Sequence, residues 1–180
     1  MANPVKFTTP KGELRWVTIT GTGKTDLNGR QIFSADVVVT PENAEGLVAE
    51  IEAYWEENKP KGAKAPKSTG YKINDEGNYV FTLKTATVYP SGDDKKIDVY
   101  DARARRVELG DKRIGNGSEG RLSGAYSIYD AGSVAARGVT MYLDAVQITK
   151  LVEYTGSSSQ FDADDDGDFD GGAMFDDELV

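Results

Sequence analysis

Residues 138–154 read as one long β-strand whose apolar side chains change sides partway along. Val139, Met141 and Leu143 share one parity, whereas Val146, Ile148 and Val152 share the other. Side chains on a strand alternate strictly between its two faces. A phase flip near Asp144-Ala145 therefore calls for a β-bulge or a sharp coil of the chain. Long strands bent this way are a device by which sheets close into barrels.

The rest of the chain supplies partners for such a strand. Residues 14–20 (LRWVTIT) and 31–40 (QIFSADVVVT) are rich in β-branched and aromatic residues and flank a turn-rich stretch containing Asn28-Gly29, so they read as a hairpin. Phe33, Ala35, Val37 and Val39 form one face of the second strand; Ser34 and Asp36 form the other. Thr40 and Pro41 suit a helix start, with Thr40 as cap. Ala44, Leu47, Val48, Ile51, Tyr54 and Trp55 then follow at helical spacing. Trp16 and Trp55 are assigned to the core. Residues 59–70 are too rich in Pro, Gly and Lys to pack and read as a linker. Residues 79–87, 97–108 and 118–129 are further strands. One helix and five or six strands predict a mainly β fold, a small curved barrel of the OB type.

Charge divides the chain in two. Residues 161–180 carry eight Asp and one Glu and no base. Removing those nine from 30 acids leaves 21 acids against 21 bases, so the net charge of −9 belongs to the tail. The expected organisation is a barrel over residues 1–155 and a disordered acidic tail over 156–180. There is no Cys and no His, which excludes disulfides, thiolate sites and His-dependent catalysis. No apolar run is long enough to cross a membrane and no apolar leader is visible, so a soluble, cytoplasmic protein is expected.

Two motifs fail on inspection. Gly21-Thr22-Gly23-Lys24-Thr25 resembles a phosphate loop, but Thr18 stands where the pattern needs Gly and a turn follows instead of a helix. Asp162, Asp164, Asp166 and Gly167 match the start of a calcium loop, yet Ala173 occupies the position of its bidentate Glu. No metal or other cofactor is expected, and no pair of carboxylates stands out for acid–base work.

What survives is a set of cations interleaved with aromatics. On a single strand, Arg103 and Arg105 would point the same way, roughly 6–7 Å apart, near the spacing of backbone phosphates. Tyr79, Phe81, Lys84, Tyr100 and Arg121 lie on the other predicted strands, with Lys24 and Arg30 in the first hairpin. Exposed aromatics stack on bases without sequence preference; for Tyr79 and Phe81 core packing is the competing reading, because Leu83 shares their phase. In the tail, Phe169 and Phe175 punctuate Asp166, Asp168, Asp176, Asp177 and Glu178. Acids with spaced apolar anchors suit a basic-rimmed pocket on a partner, or the protein's own basic groove.

The segments Tyr79-Val80-Phe81 with Lys84, Ile97-Asp98-Val99-Tyr100-Asp101-Ala102, Ile114-Gly115-Asn116-Gly117-Ser118 and Gly138-Val139-Thr140-Met141-Tyr142-Leu143-Asp144-Ala145-Val146-Gln147, followed by an acidic tail, resemble the phage-encoded single-stranded DNA-binding proteins of OB type. Asp144 stands where that family commonly has Asn, and Leu179-Val180 end a tail that often ends in an aromatic. The resemblance implies a non-catalytic protein that coats ssDNA in replication, recombination and repair. With the cation and aromatic pattern, it leads to expected ssDNA contacts at Tyr79, Phe81, Lys84, Tyr100, Arg103, Arg105 and Arg121, supported by Lys24 and Arg30, and to a tail that recruits replication proteins (polymerase, helicase-primase) and competes with DNA. Monomer and dimer both remain open. The rival reading is an acidic-tailed interaction module or DNA-mimic inhibitor whose body binds no DNA.

Overall fold

The computed structural model describes residues 3–63, 65–66, 68–110, 112–130 and 137–153; the tail residues named above lie outside them. In chain order the elements are β1 (Val5–Thr8), β2 (Gly12–Thr18), β3 (Lys24–Thr25), β4 (Gln31–Val39), α1 (Pro41–Asn58), β5 (Tyr71–Ile73), β6 (Tyr79–Ala86), β7 (Asp98–Tyr100), β8 (Arg106–Val107), β9 (Ser118–Asp130) and β10 (Arg137–Lys150). Five of these close a barrel. β2 pairs with β4, β4 with β6, β10 with β9 and β9 with β2, all antiparallel, while β6 and β10 pair in parallel. The barrel expected from sequence is thus present, with one helix against it.

The phase flip is a bulge. Leu143 pairs with Gly124 and Ala145 with Ser123, which leaves Asp144 as the extra residue. Met141 and Leu143 before it and Val146 after it therefore all point inward and are at most 1% exposed. They meet Leu14, Val37, Phe81, Leu83 and Leu122 in the same core. α1 adds Ala44, Leu47, Ile51, Tyr54 and Trp55, with the Tyr54 ring edge-on to Tyr126 at 5.0 Å. Pro41 occupies the first turn as expected, but the Thr40 hydroxyl makes no cap bond; its carbonyl instead accepts from the N–H groups of Asn43 and Ala44.

Three local expectations are corrected. The described residues of the segment 59–70 do not form a loose linker. Ala63 is buried, Val139 N–H donates to Ser68 O, and Thr82 N–H donates to Gly70 O. The single register pair Tyr142–Lys84 is the whole parallel ladder between β6 and β10, so this segment supplies acceptors where the two strands splay. Residues 97–108 are a hairpin and not one strand, because the chain reverses at Asp101–Arg105. Trp16 is 65% exposed. Its φ of +51° lies within the register shift between Arg15 and Thr18, and this turns the ring out of the barrel.

Candidate nucleic-acid interface

The barrel's outer face over β4, β6 and β10 gathers cations around an aromatic. Phe81, Leu83 and Thr85 point inward and are buried, so Thr82 and Lys84 point out. Pairing then lines up Thr18, Ser34, Lys84, Tyr142, Ala125 and Lys6 across five successive ladders. Neighbouring strands lie about 4.8 Å apart, so Tyr142, 45% exposed, and Lys84 occupy paired outward positions on adjacent strands. The adjacent row carries Arg15, Asp36 and Thr82. Burial pushes the Asp36 carboxyl above its ordinary range, while a Thr82 hydrogen bond and the charges of Lys24, Lys72 and Arg15 oppose that shift. Arg15 is itself held by Glu13 through bonds of 2.9 and 3.0 Å. Among the described residues Lys24, Lys72 and Lys84 form no ion pair.

A second group surrounds the β7–β8 hairpin. β7 continues this face along β10, with Tyr100 beside Gln147, and Gln147 beside Arg121 on β9. Gln147 is the pivot. Its Oε1 accepts from Arg121 Nη1 at 3.2 Å, and its Nε2 donates to Asp101 O at 3.2 Å, which clamps the hairpin tip. Asp101 Oδ1 accepts the N–H groups of Arg103 and Arg105, and Arg105 Nε donates to Oδ2. These bonds, led by the Arg105 N–H, hold the Asp101 carboxyl below its ordinary range. Arg105 therefore braces the turn. Arg103 stands free of ion pairs among the described residues. The two side chains do not project in step from one strand as the sequence reading expected, because Ala104, at φ +59°, reverses the chain between them.

The other sequence-predicted residues divide. Lys24 sits beside the face, paired with Ile32 of β4. Arg30 is tied to Asp26 in the turn below it. Phe81 is corrected: it is wholly buried and packs against Tyr71 and Tyr79 at 5.8 and 6.5 Å, so it cannot stack on a base. Tyr79 is half-buried against the same cluster. Arg15, Lys72, Tyr142 and Gln147 also lie on or beside this face and were not singled out from the sequence. Lys72 lies on a three-residue strand too short to show a period. Tyr142 and Gln147 stand in the motif that carried the resemblance, and their parity opposite Met141 and Val146 could have marked them as outward.

No protein-family model matches the chain, and no curated protein matches it in sequence. Solved structures do. The chain is similar to gp2.5, a single-stranded DNA-binding protein encoded by bacteriophage T7, with a TM-score of 0.64 and 19% identity over 92% of this chain and 98% of that one. It is also similar to the single-stranded DNA-binding protein of bacteriophage Enc34 in complex with ssDNA, at a TM-score of 0.60 and 13% identity over 84% of this chain and 89% of that one. The fold is theirs. Among the described residues no helix is long and apolar enough to cross a membrane, and no group of three or more acidic side chains is placed to hold a metal ion.

Proposed function

We propose that the chain is a phage-type protein that binds single-stranded DNA without sequence preference and without catalysis. The observation that carries this reading is the outward row of Lys84 and Tyr142, flanked by Lys24 and Lys72 and continued by Tyr100, Arg121 and Arg103. Its occurrence on a fold shared with ssDNA-binding proteins supports the same reading. Cations engage phosphates and release their counterions; tyrosine rings accept bases of any identity. The acidic segment 156–180 competes with DNA for this face and recruits replication proteins, so that the protein coats ssDNA during replication and recombination in the host cytoplasm.

The test is anisotropy of labelled oligo-dT in rising salt, with the full chain and with a chain ending at Gly156. Both should bind, with affinity falling as salt rises, and the shorter chain should bind more tightly. A chain that shows no preference for ssDNA even at low salt would refute the reading and favour the DNA-mimic alternative.

A further inference from the structure

Around the β2–β3 connection from the Lys84 face lies a groove of about 970 Å³, lined by Trp16, Thr22, Lys24, Lys112, Arg113 and Asn116 among others. Trp16 is its distinguishing feature. A positive φ is rare for a bulky aromatic, and here it swings the indole out of a strand whose neighbours Leu14 and Ile19 are buried. The bulge takes the Trp16 N–H out of the ladder, and Asn116 Oδ1 accepts it at 2.9 Å. The ring is therefore held in solvent by the backbone and by a bond across 100 residues of sequence. An observed outlier of this kind is a reason to look for a ligand.

The surroundings say which ligand. Lys24 and Arg113 form no ion pair among the described residues, and Lys112 meets Glu153 at 3.5 Å. Lys24 belongs to both places: it lines this groove and also attracts the Asp36 carboxylate on the barrel face. The groove thus continues the proposed DNA surface around the Thr20–Arg30 loop.

We propose that this groove is a second nucleotide site, in which Trp16 stacks on a base of the strand that crosses the Lys84 face and Lys24 hands the backbone from one site to the other. This rests on the ssDNA reading above. The chain carries its own reporter, because Trp55 is 4% exposed and contributes fluorescence that DNA cannot reach. Oligo-dT titrations of the full chain should be followed in parallel by oligonucleotide anisotropy and by tryptophan emission. The expected result is quenching that tracks the anisotropy, loss of quenching in Trp16→Phe, and about fivefold or weaker binding by Trp16→Ala with partial recovery in Trp16→Phe. Anisotropy that reports binding while emission stays constant and Trp16→Ala binds like the parent would overturn the proposal and leave the ssDNA reading standing. Absence of binding by every form at low salt would overturn the ssDNA reading itself. Should Trp16→Ala lose its fold by circular dichroism, emission of the parent chain decides alone: quenching supports the site and constant emission rejects it.

Discussion

Asp36→Asn removes a half-buried carboxylate from the middle of the cationic face. Asp36 stands opposite Thr82 and one register step from the Ser34–Lys84 pair. A strand spacing of about 4.8 Å and a two-residue step of about 6.8 Å put a phosphate held by Lys84 roughly 8 Å from that carboxylate. Two unit charges at about 8 Å repel by about 1 kcal/mol at an effective dielectric near 40. Screening over a Debye length of about 8 Å lowers this to roughly 0.4 kcal/mol at physiological salt. Asp36→Asn should therefore bind ssDNA about fivefold more tightly in low salt and about twofold more tightly at physiological salt, read by anisotropy of labelled oligo-dT.

The pH dependence sharpens the test. Burial raises the Asp36 carboxyl in the folded chain above its ordinary value of 3.8. Its stabilising contribution is then fully present below that value and is lost as pH rises through the raised one. The parent chain should gain ssDNA affinity relative to Asp36→Asn as pH falls, and the two should converge once the carboxyl is protonated. The groups facing Asp36 are Arg15, Lys24, Lys72 and Thr82, with Glu13 engaged by Arg15. Parent and variant differ only at this carboxyl, so their convergence reports it. Equal or weaker binding by Asp36→Asn in low salt would show that DNA does not cross this face.

Lys84→Ala should weaken binding to all homopolymers alike and flatten the salt slope by about 0.7, the value for one phosphate contact on a single strand. Gly124→Ala should cost about 3 kcal/mol in urea unfolding, because its Cβ would collide with the Tyr142 carbonyl oxygen, backbone that yields only if the β9–β10 ladder opens. Ala104→Gly should stabilise by a few tenths to about 1 kcal/mol, since it relieves a left-handed alanine against the added freedom of glycine in the unfolded chain. Unfolding midpoints with unchanged slopes would check it.

The barrel was legible where one apolar parity ran long enough to be seen to break, as at Asp144. The β2 bulge left no such mark. Apolar residues occupy both parities there (Leu14 and Trp16 against Val17 and Ile19), so a flip changes nothing visible, and Trp16 reads as core. The β7–β8 hairpin was hidden by arithmetic. Its turn, residues 101–105, has an odd count, so Ile97 and Val99 before it keep the parity of Val107 after it and the reversal passes for a continuous strand. The outward side of Arg121 was legible because strand alternation runs on both sides of it within β9, whereas Tyr100, the last residue of β7, has alternation only before it. Arg105 and Arg30 were read as free cations because the bracing carboxylate lies four residues earlier, across a turn that alternation does not describe.

That turn recurs, and its recurrence supports one more prediction. Asp26–Arg30, Asn74–Asn78 and Asp101–Arg105 share one plan. The first side chain accepts the N–H groups of the third and fifth residues, and the fourth residue has a positive φ. At residue 74 an amide oxygen does this work, so the carboxylate's charge is not what closes the loop. Asp101→Asn should then keep the hairpin and release only the Arg105 guanidinium. The net gain of one positive charge beside Arg103 should tighten ssDNA binding about twofold in low salt and steepen its salt dependence. Asp101→Ala removes the acceptor as well, and should loosen the tip, disturb the Gln147 clamp and weaken binding. If Asp101→Asn behaves like Asp101→Ala, the ion pair itself holds the turn, and Arg105 is a structural residue that cannot be spared for DNA.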